Sequence, residues 1–226
     1  MAHRFLSSTA PTLCYVTGRK ALGGASSRRV IDRVRLAAEA GVDWIQIREK
    51  DLSTRELFTL TQDGVRSAAA GSGNTRVIVN DRLDIAVAAG AGGVHLGGES
   101  VAVSDVAHWC RAGNAPPGFL VGVSCHRMEE VLEAERAGAS YVFFGPVYET
   151  PSKRSFGSPQ GIARLTSVCS TLKIPVIAIG GLNEENAAEA LKAGTAGIAA
   201  IRLFQESKDV ASLKLLVERL HRIRRE

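Results

Sequence analysis

A chain of 226 residues with 45% hydrophobic and 23% charged residues has the composition of a globular protein able to bury a sizeable core, which excludes a disordered or fibrous polymer. The net charge of +5 suits an anionic ligand, although much of the excess sits in "ERLHRIRRE" at 218–226, where a helix end favours cations. With aromatic residues at only 5% and no basic stripe outside that segment, nucleic-acid binding is not expected.

Cys14, Cys110, Cys125 and Cys169 lie far apart, with no CxxC pair and no metal-type spacing with histidine, so they are expected to be reduced thiols of a cytoplasmic protein. The opening "MAHRFLSSTAPTL" has too short an apolar stretch for a secretory signal, and no run of about 18 apolar residues occurs, so no membrane partner is expected. No Pro-, Gly- or Ser-rich linker divides the chain. It is therefore expected to be one domain over 1–226, with 1–11 a flexible extension.

Taken in chain order, strands are predicted at 12–17 (TLCYVT), 44–49 (WIQIRE), 76–80 (RVIVN), 93–97 (GVHLG), 120–125 (LVGVSC), 141–147 (YVFFGPV), 175–181 (PVIAIGG) and 197–204 (GIAAIRLF). Between them run stretches with helical spacing of apolar residues, such as 28–41, 127–138 and 183–194. Eight strand–helix units of roughly 25–30 residues add up to a (βα)8 TIM barrel, an α/β fold of this length. An internal echo agrees: Ala-Gly ends the helix before the second, fourth, sixth and eighth strands, where Gly41, Gly90, Gly138 and Gly194 can adopt a left-handed cap.

Such a barrel carries its chemistry at the carboxyl ends of its strands. In the second strand, alternation puts Gln46, Arg48 and Lys50 on one face, two cations and an amide suited to a phosphate or diphosphate. The third delivers Asn80 and Asp81, and the Asn-Asp pair also reads as a helix cap. In the fifth, Gly122, Ser124 and His126 share a face while Cys125 points toward the helices, which disfavours a Cys-His nucleophile pair; His126 reads equally as a ligand contact or a rim residue. The loop 148–161 (YETPSKRSFGSPQG) follows the sixth strand and is expected to be a cationic, hydroxyl-rich segment on the catalytic face. After the seventh strand, Gly180 and Gly181 offer backbone N–H groups to an anion, with Asn183 available as a helix cap.

The ordered motifs "YVT", "QIREK", "VIVNDRLDIA", "GVHLGGES", "GVSCHRMEE", "FFGPVYETPSK" and "IAIGGLNEENA" closely resemble thiamine phosphate synthases and their sister group, the thiazole tautomerases, over about 15–204. The resemblance implies a small-molecule enzyme that joins hydroxymethylpyrimidine diphosphate to thiazole phosphate with loss of pyrophosphate. It implies that Gln46, Arg48, Lys50, Asn80, Ser124 and Lys153 hold the pyrimidine diphosphate, and that Thr150, Ser152, Gly180, Gly181, Ile201 and Arg202 surround the thiazole phosphate, with Tyr15 also at the substrate. Lys153 would neutralise the leaving pyrophosphate, its loop 148–161 closing over the site as a lid, with Arg48, Ser124 and His126 as the other catalytic candidates. Asp81 and Ser100 would hold Mg²⁺, but the family's "HLGQED" motif ends on an acidic residue where this chain has Ser100, after Glu99. The small residue usual in the family's "VVSAI" is Arg202 here. The resemblance also leaves open a tautomerase acting on the thiazole carboxylate phosphate, with His126 as acid/base, or a non-catalytic phosphate-binding barrel, and allows a homodimer.

Overall fold

Eight short parallel strands close into a barrel, each paired with its sequence neighbour and β1 with β8. The computed structural model describes residues 10–24, 26–71, 74–150 and 158–223. The strands are β1 (Thr12–Val16), β2 (Trp44–Ile47), β3 (Arg76–Asn80), β4 (Gly93–Leu96), β5 (Leu120–Cys125), β6 (Tyr141–Phe144), β7 (Val176–Ile179) and β8 (Gly197–Ala200). Around them lie α1 (Ser27–Glu39), α2 (Thr54–Ala70), α3 (Leu83–Ala88), α4 (Val103–Trp109), α5 (Met128–Ala137), α6 (Gly161–Thr171), α7 (Ala187–Lys192), α8 (Arg202–Gln205) and α9 (Val210–His221). The predicted (βα)8 barrel is the observed architecture.

Strands flanked on both sides must be apolar on both, and the alternation sorts their residues into two cores. One fills the barrel interior with Cys14, Val16, Trp44, Ile78, Tyr141, Phe143 and Ile177. The other, including Tyr15, Ile45, Val79, Val142 and Ile198, packs against the helices. Inside, Trp44 and Tyr141 approach to 4.8 Å between ring centroids, and His95 and Phe143 to 4.1 Å, so aromatic rings floor the space above them. Gly122 is required beneath this cluster, because a Cβ there would fall 2.1 Å from Tyr141 Cζ.

Helix boundaries follow local chemistry. Ser53 and Glu56 form a reciprocal capping box that starts α2. The four Ala-Gly repeats end their helices as expected, with Gly41, Gly90, Gly138 and Gly194 all at positive φ. The stretch 183–194 is helical only from Ala187, because Asn183 Oδ1 accepts from the backbone N–H of Glu185 and Asn186 and shapes a turn first. Of the stretch 1–11, residues 1–9 lie outside the described residues and Pro11 is buried. No described helix is long and apolar enough to cross a membrane. The four cysteines are free thiols; Cys14 and Cys125 are buried, and burial pushes the Cys125 thiol up to about 12.

Candidate active site

At the carboxyl ends of the strands the barrel opens into a cavity of about 1100 Å³. Ten residues singled out from the sequence line it: Gln46, Arg48, Asn80, Ser124, His126, Thr150, Gly180, Gly181, Ile201 and Arg202. They come from the ends of β2, β3, β5, β7 and β8 and from the segment after β6, so the closure of the barrel is what gathers them.

Gln46 is the inward residue above Trp44 on β2 and is only 2% exposed, yet among the described residues its Nε2 finds no hydrogen-bond partner. An unpaired buried donor costs about 1–3 kcal/mol, which a ligand acceptor would return. Arg48 follows just past β2, with its backbone N–H donating to Thr17 Oγ1 at 3.0 Å and its side chain on the cavity wall. Next to it, buried Glu49 accepts the backbone N–H of Arg19 on both oxygens at 3.1 Å; burial raises its pKa. An Arg19–Asp51 ion pair at 2.7 Å adds to this tie, which holds the segment after β1 so that Ala21 walls the cavity.

The remaining groups each have a fixed frame. Ser124 Oγ lies 2.9 Å from His95 Nε2, and burial pushes the His95 imidazole down to about 3, leaving it neutral at ordinary pH. His126 Nδ1 donates to the Gly145 carbonyl, which leaves Nε2 as the nitrogen available to a ligand. Gly180 and Gly181 sit at φ 98° and 71°, and a Cβ on Gly181 would come within 2.5 Å of the Glu149 carbonyl oxygen. Only glycine permits this close crossing of the segments after β6 and β7.

Four expected residues are not on the cavity wall. Tyr15 faces the helices instead, its hydroxyl donating to Gln205 Oε1 at 2.9 Å. Strand β2 ends at Ile47, so its alternation does not carry on to Lys50, which lies exposed in the following turn. Asp81 is exposed at φ 68° just beyond β3, where its Oδ1 accepts from the Ser100 hydroxyl; that hydroxyl oxygen in turn accepts the Gly97 N–H at 2.7 Å. Among the described residues no cluster of three or more His, Cys, Asp or Glu could hold a metal ion alone. Ser152, Lys153 and the greater part of the expected lid lie outside the described residues. Conversely, His95 and Phe143 line the cavity without having been expected there; the period-two parity of GVHLG and YVFF is the signal that points both inward.

A family model described as thiamine monophosphate synthase matches residues 13–204. The thiamine-phosphate synthase of Chlorobium phaeobacteroides is 36% identical over 199 residues, 88% of this chain and 90% of that one. Its counterpart in Methanospirillum hungatei is 41% identical over 172 residues, 76% of this chain and 80% of that one. The solved structure of thiamine phosphate pyrophosphorylase from Pyrococcus furiosus matches with a TM-score of 0.78 at 31% identity, covering 94% of this chain and 98% of that chain. Barrel, cavity and ordered motifs agree with these likenesses: the chain belongs to the thiamine monophosphate synthase family.

Proposed function

We propose that the protein joins hydroxymethylpyrimidine diphosphate to thiazole phosphate and releases pyrophosphate. The bond from the pyrimidine methylene carbon to the diphosphate oxygen breaks, and the thiazole nitrogen forms the new bond to that carbon. No proton has to move and no protein nucleophile is needed, so catalysis rests on positioning and charge neutralisation. The observation that carries this reading is the unpaired, buried Gln46 Nε2 beside the Arg48 guanidinium in one cavity, a donor and a cation awaiting an anionic, hydrogen-bonding ligand.

In this reading Arg48 offsets the charge of the departing diphosphate, while Gln46, Asn80 and Ser124 hold the pyrimidine diphosphate in place. His126 presents Nε2 to the same substrate, and Lys50 and Lys153 add cations from outside the described wall. The thiazole phosphate lies against Thr150, Gly180, Gly181, Ile201 and Arg202, with Ser152 nearby; backbone N–H groups at the paired glycines and the Arg202 cation suit a phosphate. Tyr15 serves the substrate only through Gln205, which also donates to the Gly18 carbonyl at 3.3 Å. The oxygen donors present fit a magnesium ion, which the Asp81 carboxylate and the Ser100 hydroxyl would hold together with the bound diphosphate. Bound there, the ion would neutralise charge on the leaving group.

The test is to incubate the pure protein with both substrates and Mg²⁺ and to follow pyrophosphate release. Release is expected, abolished in Lys153→Ala and strongly reduced in Asp81→Ala. No release, together with isomerisation of the thiazole carboxylate phosphate, would assign the protein to the tautomerases instead.

A further inference from the structure

Three inward side chains on neighbouring strands form a polar line that starts at the cavity and runs down into the barrel. Ser124 Oγ on β5 is 2.9 Å from His95 Nε2 on β4, and His95 Nδ1 is 3.1 Å from the Tyr141 hydroxyl on β6. Ser124 and His95 line the cavity; Tyr141 is 0% exposed and does not. A neutral imidazole carries one donor and one acceptor, so the line has two possible polarities. In the first, the Tyr141 hydroxyl donates to Nδ1 and the Nε2–H donates to Ser124 Oγ. In the second, the Ser124 hydroxyl donates to Nε2 and the Nδ1–H donates to the Tyr141 oxygen.

The surroundings of Tyr141 decide between them. Among the described residues its hydroxyl has no hydrogen-bond partner other than His95, and its ring packs within the apolar barrel core against Trp44 and Phe143. The second polarity would leave the phenolic proton buried without an acceptor, disfavouring it by about tenfold or more. The first satisfies every group and leaves the Ser124 proton free to point into the cavity. The His95 ring is buried and, among the described residues, its nitrogens meet only the two hydroxyls and no carboxylate, which keeps it neutral.

We propose that Tyr141 is a positioning residue that fixes His95 in its Nε2–H tautomer and so makes Ser124 a hydrogen-bond donor toward the cavity. A serine held this way suits an acceptor such as a phosphate or diphosphate oxygen, and that identification of the acceptor rests on the function proposed above. Tyr141 reaches the ligand only through two intervening hydrogen bonds.

The experiment reads the histidine ring nitrogens by long-range proton–nitrogen NMR on the ligand-free, nitrogen-15-labelled protein near pH 7. The His95 signals are identified, among those of the five histidines, by their loss in His95→Gln. A protonated Nε2 and a bare Nδ1 are expected; an Nδ1–H tautomer would overturn the proposal. Tyr141→Phe keeps the ring but deletes the donor. Expected are a mixed or reversed His95 tautomer and a kcat/KM for the pyrimidine diphosphate lower by about tenfold to a hundredfold, the scale of a lost hydrogen bond to a charged group. The KM for thiazole phosphate should stay within about twofold. An unchanged tautomer, or unchanged kinetics with a changed tautomer, would also overturn the assignment. Should Tyr141→Phe not fold, the wild-type spectrum still decides the polarity. Because that spectrum is taken without substrate, absence of pyrophosphate release by the wild-type protein would sink the synthase reading and leave the relay to stand or fall separately.

Discussion

Gln46 and His95 are both buried polar residues that line the cavity, and each bears on the stability of the folded state. The unpaired Gln46 Nε2 is the clearer case. Replacing it by leucine should raise stability by about 1 kcal/mol, by removing a buried donor with no acceptor, while the KM for the pyrimidine diphosphate rises about tenfold. Denaturant titration and steady-state kinetics on the same preparation check the two halves. For His95 the sign follows from linkage. Burial lowers its folded pKa to about 3 against an ordinary value of 6.5, so below pH 6.5 the unfolded chain takes up a proton that the folded one refuses. Stability falls by about 1.4 kcal/mol per pH unit in that window, or about 2 kcal/mol between pH 6.5 and 5. Unfolding titrations at both pH values should show this loss in the wild-type protein and its absence in His95→Gln; an equal loss in both would refute it.

Among elements, the glycines that end strands and helices do different work. Gly90 at φ 72° has no atom within 4 Å of a would-be Cβ, so Gly90→Ala should cost only the left-handed strain, about 1–2 kcal/mol, with kcat/KM unchanged. Gly181 at φ 71° is hemmed in by the Glu149 carbonyl and Tyr148. Gly181→Ala should cost more than Gly90→Ala and raise the KM for thiazole phosphate, since the segment after β6 must move. Equal effects of the two substitutions on that KM would contradict the phosphate site assigned there. The same scale marks what the sequence could tell. Alternation is reliable inside a strand, and it correctly turned Gln46 and Ser124 inward and Cys125 outward. It says nothing about where a strand stops, which is why Lys50 was carried onto a face that ends at Ile47. Tyr15 follows the same rule from the other side: with Cys14 and Val16 in the interior core, its parity sends it toward the helices, whatever motif surrounds it. His95 matched no expected chemistry in "GVHLG", and only the pairing of β4 with β5 brings it to Ser124.

For the whole molecule, eight repeats of one unit left little freedom in the fold, because alternating strands and helices of this length close into a barrel whose chemistry collects at one end. What periodicity could not supply is the lateral tie between loops: Glu49 and Asp51 holding Arg19, and Gln205 joining Tyr15 to Gly18, are contacts between distant parts of the chain. These ties set the cavity's rim, and the bond from the Arg48 N–H to Thr17 holds Arg48 at its wall. Arg219 of the basic C-terminal segment also lines the cavity, ion-paired to Glu184. In the proposed reaction one cavity receives the departing diphosphate, with Arg48, among the cations that line it, as the one that meets that group. Calorimetric titration of the protein with hydroxymethylpyrimidine diphosphate and Mg²⁺ tests it most directly. One-site binding is predicted, weakened about tenfold to a hundredfold in Arg48→Ala; no binding, or binding indifferent to Arg48, would contradict it.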